Sequence, residues 1–173
     1  MKRIGTALAV ALFTVAFGAS AQSGPNDAQI AAIVVTANQV DIDAGKVAEA
    51  KSKNKDVKAF GKMMVTDHTG VNKAATELVT KLHVKPEDNP TAQSLKAGGV
   101  ENVKHLKTLS GAAFDKAYID HEVAYHQQVI DAMDKTLIPS AQNAELKALL
   151  VKVRPAFVAH LEHAKQLQAK LGA

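Results

Sequence analysis

The sequence predicts an all-α fold, in which four long amphipathic helices pack as a bundle and a long connection joins the second to the third. Three observations carry that prediction. No segment alternates with the period of two that a half-buried strand requires. Ala, Leu, Lys, Gln and Glu dominate, residues that lose little side-chain freedom in a helix. Apolar residues recur instead at three- and four-residue spacing over long stretches.

The first helix starts after Gly24-Pro25-Asn26, with Asn26 or Asp27 as its cap, and runs to about Ala50. Ile30, Ile33, Val34, Ala37, Val40, Ala44, Val47 and Ala48 form its stripe. The polar cluster Lys51-Ser-Lys-Asn-Lys-Asp56 interrupts it, and Asn54 is the next cap. The second helix spans about 55–83 on Phe60, Met64, Val71, Ala75, Leu78 and Leu82, and Pro86 and Pro90 follow it. Residues 91–109 read as a polar connection broken by Gly98-Gly99, holding one or two short helices. Ser110 caps a third helix over about 111–137, which Pro139 closes. The fourth, about 140–171, contains Pro155, yet its stripe from Leu146 to Leu171 continues across the proline, so one bent helix is expected. Two pairs of helices separated by one long connection give a bundle of ferritin-like kind.

The N-terminus predicts the compartment. Lys2 and Arg3 precede an apolar run from Ile4 to Phe17 and the small residues Ala19-Ser20-Ala21, the parts of a cleavable secretory signal peptide. Residues 1–21 are read as that leader and 22–173 as a single domain, exported to a periplasm or secreted, by a Gram-negative type of route. The run is short for a membrane span, which favours a cleaved leader over the alternative of an N-terminal membrane anchor, and no later stretch is apolar for 18 residues. There is no cysteine, so the domain relies on its core without disulfides, and a metal site would use His, carboxylate or Met.

Composition excludes several classes. Of 21 Lys and Arg, two leave with the leader, and the rest nearly balance 17 Asp and Glu without forming blocks. Aromatic residues are 4% of the chain, too few for a base-stacking platform, so nucleic acid is not an expected partner. There is no Gly-x-Ser-x-Gly, no His-Glu-x-x-His and no phosphate-cradling glycine loop. An enzyme is the least supported class.

Inward-facing polar residues are what remains to explain. On a wheel of about 100° per residue, His160 falls at the centre of the fourth helix's stripe and His163 on its flank. Glu122 and His126 share the apolar side of the third helix, with His121 at the boundary. Asp67 and His68 straddle the face of the second. On the first, Asp41 lies just off the centre and Asn38 on the border. Leaving such groups buried without partners costs about 1–3 kcal/mol each, so they must meet one another, water or a metal. Histidines 83 and 105 read as a helix-end and a solvated residue.

The segments Phe60-Gly-Lys-Met-Met-Val-Thr-Asp-His68, Leu109 to His126 and Leu149 to Leu167 resemble domain-of-unknown-function family 4142, exported proteins similar to ferritin-like four-helix bundles. The matching features are Asp67-His68, Phe114-Asp115-x-x-Tyr118 with His126, and Pro155 with His160, across about 27–170. The resemblance implies a fold and an export route, and no activity.

Two readings of the inward residues follow. In one, His68, His126 and His160, with Asp67 or Glu122, hold a metal, with Zn, Fe, Mn and Cu as the candidates; Met63 and Met64, with His68, hint at copper, although Met at helical spacing is more often core filler. In the other, the same residues form a packing network, such as Asp67 to His126 or Tyr118 to His160, in a structural or interaction module. The di-metal chemistry of ferritin-like proteins needs Glu-x-x-His on two helices, and this chain has none. The expected protein is a monomer or homodimer that binds a metal ion, a small ligand or a periplasmic protein in a stress-related role.

Overall fold

The computed structural model describes residues 24–172, so the leader reading of residues 1–21 falls outside the described residues. Five long helices follow in order: α1 (Asp27–Lys51), α2 (Lys55–Lys81), α3 (Pro90–Thr108), α4 (Gly111–Ala132) and, after a π-helical turn (Met133–Leu137) and the short α5 (Ile138–Ser140), α6 (Ala144–Gly172). No described residue is in a strand.

The caps explain where most of these helices begin. Asn26 accepts from the Gln29 backbone at 2.9 Å while the Gln29 side chain accepts from the Asn26 backbone, a reciprocal capping box. Asp27 does something else: its carboxylate takes the backbone N–H groups of Gln142 and Asn143, both at 2.9 Å, and ties the α5–α6 loop to the start of α1. Asn54, Asn89 and Asn143 cap α2, α3 and α6. Ser110 stands at the expected N-cap of α4, but its side chain makes no capping hydrogen bond. At the end of α2, His83 takes a positive φ of 54°, and Val84 N–H reaches back to Val79 O at 2.9 Å to close the last turn.

The four-helix bundle consists of α1, α2, α4 and α6. One apolar cluster joins the N-terminal half of α1 to the C-terminal parts of α2 and α4 and the first part of α6, including Ile30, Ala75, Ile130 and Leu150. A second joins Ala48, Phe60, Tyr118 and Leu167 at the opposite ends of those helices. It follows that α1 and α6 run one way and α2 and α4 the other. Two antiparallel hairpins joined by one long crossover are the connectivity of ferritin-like bundles.

That crossover holds one unbroken 19-residue helix rather than the polar connection with short helices that Gly98-Gly99 suggested. Gly99 is buried against α1, where a Cβ would stand 2.6 Å from Val40 Cγ2, whereas nothing lies within 4 Å of Gly98. Glycine there serves close packing and does not break the helix. A similar contact sets the spacing of α1 and α2, because a Cβ on Gly45 would lie 2.8 Å from the Gly61 carbonyl oxygen.

The third expected helix, about 111–137, is α-helical only to Ala132. Pro139 has no N–H to donate, and Ile138 N–H reaches back five residues to Met133 O, which widens the turn before it. Pro155 leaves α6 continuous, as its stripe required; the carbonyl it deprives of a donor belongs to exposed Val151.

Candidate metal centre

Between the two apolar clusters the core turns polar. Asn38, Asp41, His68, Glu122, His126 and His160 are each at most 4% exposed and come from all four bundle helices. Antiparallel packing brings them to one level because each sits near the middle of its helix.

Three imidazoles form the heart of the cluster. The ring centroids of His68, His126 and His160 are 5.2–5.6 Å apart. One donor nitrogen from each lies within 4.8 Å of the other two. The partner of each ring fixes its tautomer. Asn38 donates its Nδ2 to Val34 O at 2.8 Å, so its Oδ1 faces His68 and accepts from His68 Nδ1–H at 2.6 Å. His126 Nδ1–H donates to Glu122 O at 3.0 Å, one turn back on α4. His160 Nε2–H donates to the Asp67 carboxylate at 2.9 Å.

Each ring thus has one nitrogen protonated and held by an outer acceptor, and the other left as a bare lone pair. Those three atoms, His68 Nε2, His126 Nε2 and His160 Nδ1, are buried and have no hydrogen-bond partner. Neutral imidazoles with their N–H groups tied behind them are the form in which histidines ligate metals. Burial, with the neighbouring His126 and His160 adding to it, pushes His68 down to about 2, so it stays neutral across physiological pH. Burial also lowers His160, against the opposing pull of Asp67.

Carboxylates complete the cluster. Asp41 Oδ2 lies 3.3 Å from His68 Nε2 and 3.8 Å from His126 Nε2, with the Glu122 carboxyl as its other neighbour. Glu122 Oε2 is 3.4 Å from His126 Nδ1, and its carboxyl lies between Asp41 and the Tyr118 hydroxyl. Donor atoms of Asp41, Glu122 and His126 form a second group within 4.8 Å of one another. Burial raises Asp41 well above the ordinary carboxylate range, and the nearby Glu122 charge raises it further. Burial pushes Glu122 up to about 7. Two buried acids this close resist ionising together without a cation between them. Beside them, burial also raises the Tyr118 hydroxyl, and the neighbouring Glu122 and Asp41 raise it further.

All five sequence candidates reach this region, but in unequal roles. His68, His126 and His160 turn their lone pairs inward, and Glu122 stands on the Nδ1 side of His126, grouped with Asp41. Asp67, whose side chain is 45% exposed, stands behind His160 as the acceptor of its N–H and not among the inward donors. The expected network pairs are not the ones formed: Asp67 meets His160 rather than His126, and the Tyr118 hydroxyl lies beside Glu122 rather than His160. Asp41, an inward residue outside the metal candidates, lies closer to the His68 lone pair than either of them. Asn38, at the border of the wheel, is fully buried as the acceptor for His68. Their spacing of three on the α1 stripe was the available signal. His121 stacks on Tyr125 at 5.5 Å, with burial taking it down to about 4, while His163 packs edge-on against Phe60 at 5.2 Å; neither joins the centre.

The fold and this centre define a class: an all-α bundle with a buried histidine–carboxylate cluster that could chelate a metal ion. The chain belongs to the domain of unknown function family DUF4142, whose model matches residues 14–167. No curated protein and no solved structure matches it. Among the described residues, no helix is long and apolar enough to cross a membrane.

Proposed function

We propose that the protein is an exported metal-binding bundle that holds one divalent transition-metal ion between its four helices. The observation that carries this reading is the convergence of three unpartnered imidazole lone pairs, each backed by a hydrogen bond on its other nitrogen. A packing network satisfies its members, because leaving several buried donors and acceptors unpaired in one place costs about 1–3 kcal/mol for each. A cation at this point gives all three lone pairs a partner and balances the two carboxylates at once.

His68 Nε2, His126 Nε2 and His160 Nδ1 would be the nitrogen ligands, Asp41 the nearest oxygen ligand and Glu122 the second acid. Three imidazoles with carboxylate suit Zn, Fe, Mn and Cu, and a bound ion of that kind supplies a Lewis acid. Asn38, Asp67 and the Glu122 carbonyl hold the rings in the ligating tautomer. The basic, apolar and small-residue pattern of residues 2–21 supports export, and export would place the site in the periplasm.

The test is elemental analysis of untagged protein purified from a periplasm without chelator. About one metal ion per chain is expected, falling to background in His160→Ala. Export is checked in the same preparation by N-terminal sequencing, which should begin near Gln22. Metal-free protein whose melting temperature ignores added Zn, Fe, Mn and Cu would remove the metal reading and leave the packing network.

A further inference from the structure

A cavity of about 760 Å³ opens beside the metal centre, between α1, the chain entering α3, the end of α4 and α6. Its size is that of a site for a small organic molecule. Its buried wall is apolar, with Ile33, Val34, Met133, Leu137, Leu150 and Phe157. Its polar lining is largely at the mouth, where Asn26, Thr91, Gln128 and Thr136 are exposed. Among the described residues, no Lys, Arg, His, Asp or Glu lines it.

Two features mark this cavity as built rather than incidental. The π-helical turn places Met133, Thr136 and Leu137 in its wall, and such turns inside helices are frequent at functional sites. At its inner end stand Asn38 and Phe157, the residues that also touch the histidines: Asn38 accepts from His68, and the Phe157 ring lies 5.0 Å from His68 and 6.0 Å from His126. The cavity therefore ends on the back of the centre, separated from it by one amide and one aromatic ring.

We propose that this cavity binds an uncharged amphiphilic small molecule, its apolar body seated against Ile33, Leu150 and Phe157 and its polar end among the amides and hydroxyls of the mouth. The missing charge in the lining selects the ligand class. At the mouth an alcohol or carbonyl finds the amides and hydroxyls of Asn, Gln and Thr, whereas a carboxylate or ammonium finds no counter-ion among the described lining residues. The groove between α1 and α3 differs in kind, because Lys46, Lys96, Lys104 and Lys107 line it.

The probe for the test is the neutral fluorophore N-phenyl-1-naphthylamine, titrated into the purified untagged protein. Saturable binding at one probe per chain is expected, with decan-1-ol displacing it at least tenfold better than decanoate. Val129→Trp in the wall and Thr136→Trp at the exposed mouth fill the space, and each should weaken the probe at least tenfold. Thr136 is on the surface, so that variant keeps the wild-type helical circular dichroism and melting curve. His160→Gln leaves the cavity lining intact and should bind the probe as the wild type does, which separates this site from the metal reading. Probe affinity unchanged in both tryptophan variants, or equal displacement by decanoate and decanol, overturns the proposal.

Discussion

Glu122→Gln replaces a buried acid by a neutral side chain of the same shape, and its effect on stability should depend on pH. In the metal-free protein the Glu122 carboxyl is held at about 7 against an ordinary 4.5 because its site is dry. A folded-state value raised above the unfolded one means that ionisation opposes folding. That cost is absent below 4.5, grows between 4.5 and 7, and is complete above 7. At about 1.4 kcal/mol per pH unit across that interval it reaches roughly 3 kcal/mol. Removing the acid also relieves Asp41, which the Glu122 charge helps to raise, so the two effects have the same sign. The metal-free variant should therefore gain about 3 kcal/mol over wild type at pH 8, relative to its effect at pH 4.5. Comparing the two pH values cancels whatever the amide itself costs, and cancels the histidines, which both proteins share. The assay is urea denaturation with EDTA at each pH. With saturating zinc at pH 8 the sign should reverse, because the variant has lost the charge that favours the ion. A stability difference that does not change with pH would refute the view of Glu122 as a buried acid whose ionisation opposes folding.

Zinc at a hundred times its dissociation constant adds about 2.7 kcal/mol to the folded state, which raises the melting temperature of a chain this size by about 5–10 °C; the rise should vanish in His126→Ala, and scanning fluorimetry reads both. Asp67→Ala removes the acceptor behind His160 at a half-exposed position, so zinc affinity should fall about 10- to 100-fold by competition with a chromophoric chelator, with the metal-free melting temperature almost unchanged. Two neighbouring glycines should respond oppositely in urea titrations. Gly98→Ala should stabilise by about 0.5–1 kcal/mol, since nothing lies within 4 Å, and Gly99→Leu should destabilise by about 1–3 kcal/mol by driving a side chain into Val40.

Those glycines mark where sequence reasoning stops. Periodicity placed α1, α2, α4 and α6 because each repeats an apolar residue every turn, and that signal is local to the helix. The α3 segment has Gly98-Gly99 and few large apolar residues, so propensity argues against one long helix there. Its continuity comes from the surface of α1, where Gly99 meets Val40, and a contact between distant segments leaves no mark on local spacing. The π turn is of the same kind: Pro139 announces an end, but not that the helix widens five residues earlier. At the centre, the wheel selected His68, His126 and His160 because each interrupts an apolar stripe. It could not rank Asp41 above Asp67, since which acid faces the lone pairs depends on how closely α1 approaches α2. Gly45 and Gly61 set that approach.

That approach explains why the polar layer can exist in a small bundle at all. Gly45 lies one turn beyond Asp41 on α1, and Gly61 two turns before His68 on α2, so the glycine contact draws both donors toward the axis from adjacent helices. Apolar clusters above and below then exclude water from the level between, which strengthens every charge interaction there and makes every unpaired one costlier. The metal-free protein stands at the costly end of that balance, with lone pairs and carboxylates facing one another across a dry core. Stability and the proposed ion binding are therefore opposed at these positions. Substitutions that replace the polar layer with leucine or methionine should make the metal-free bundle sturdier while abolishing any zinc-dependent rise in melting temperature, the trade-off expected if the layer serves binding rather than packing.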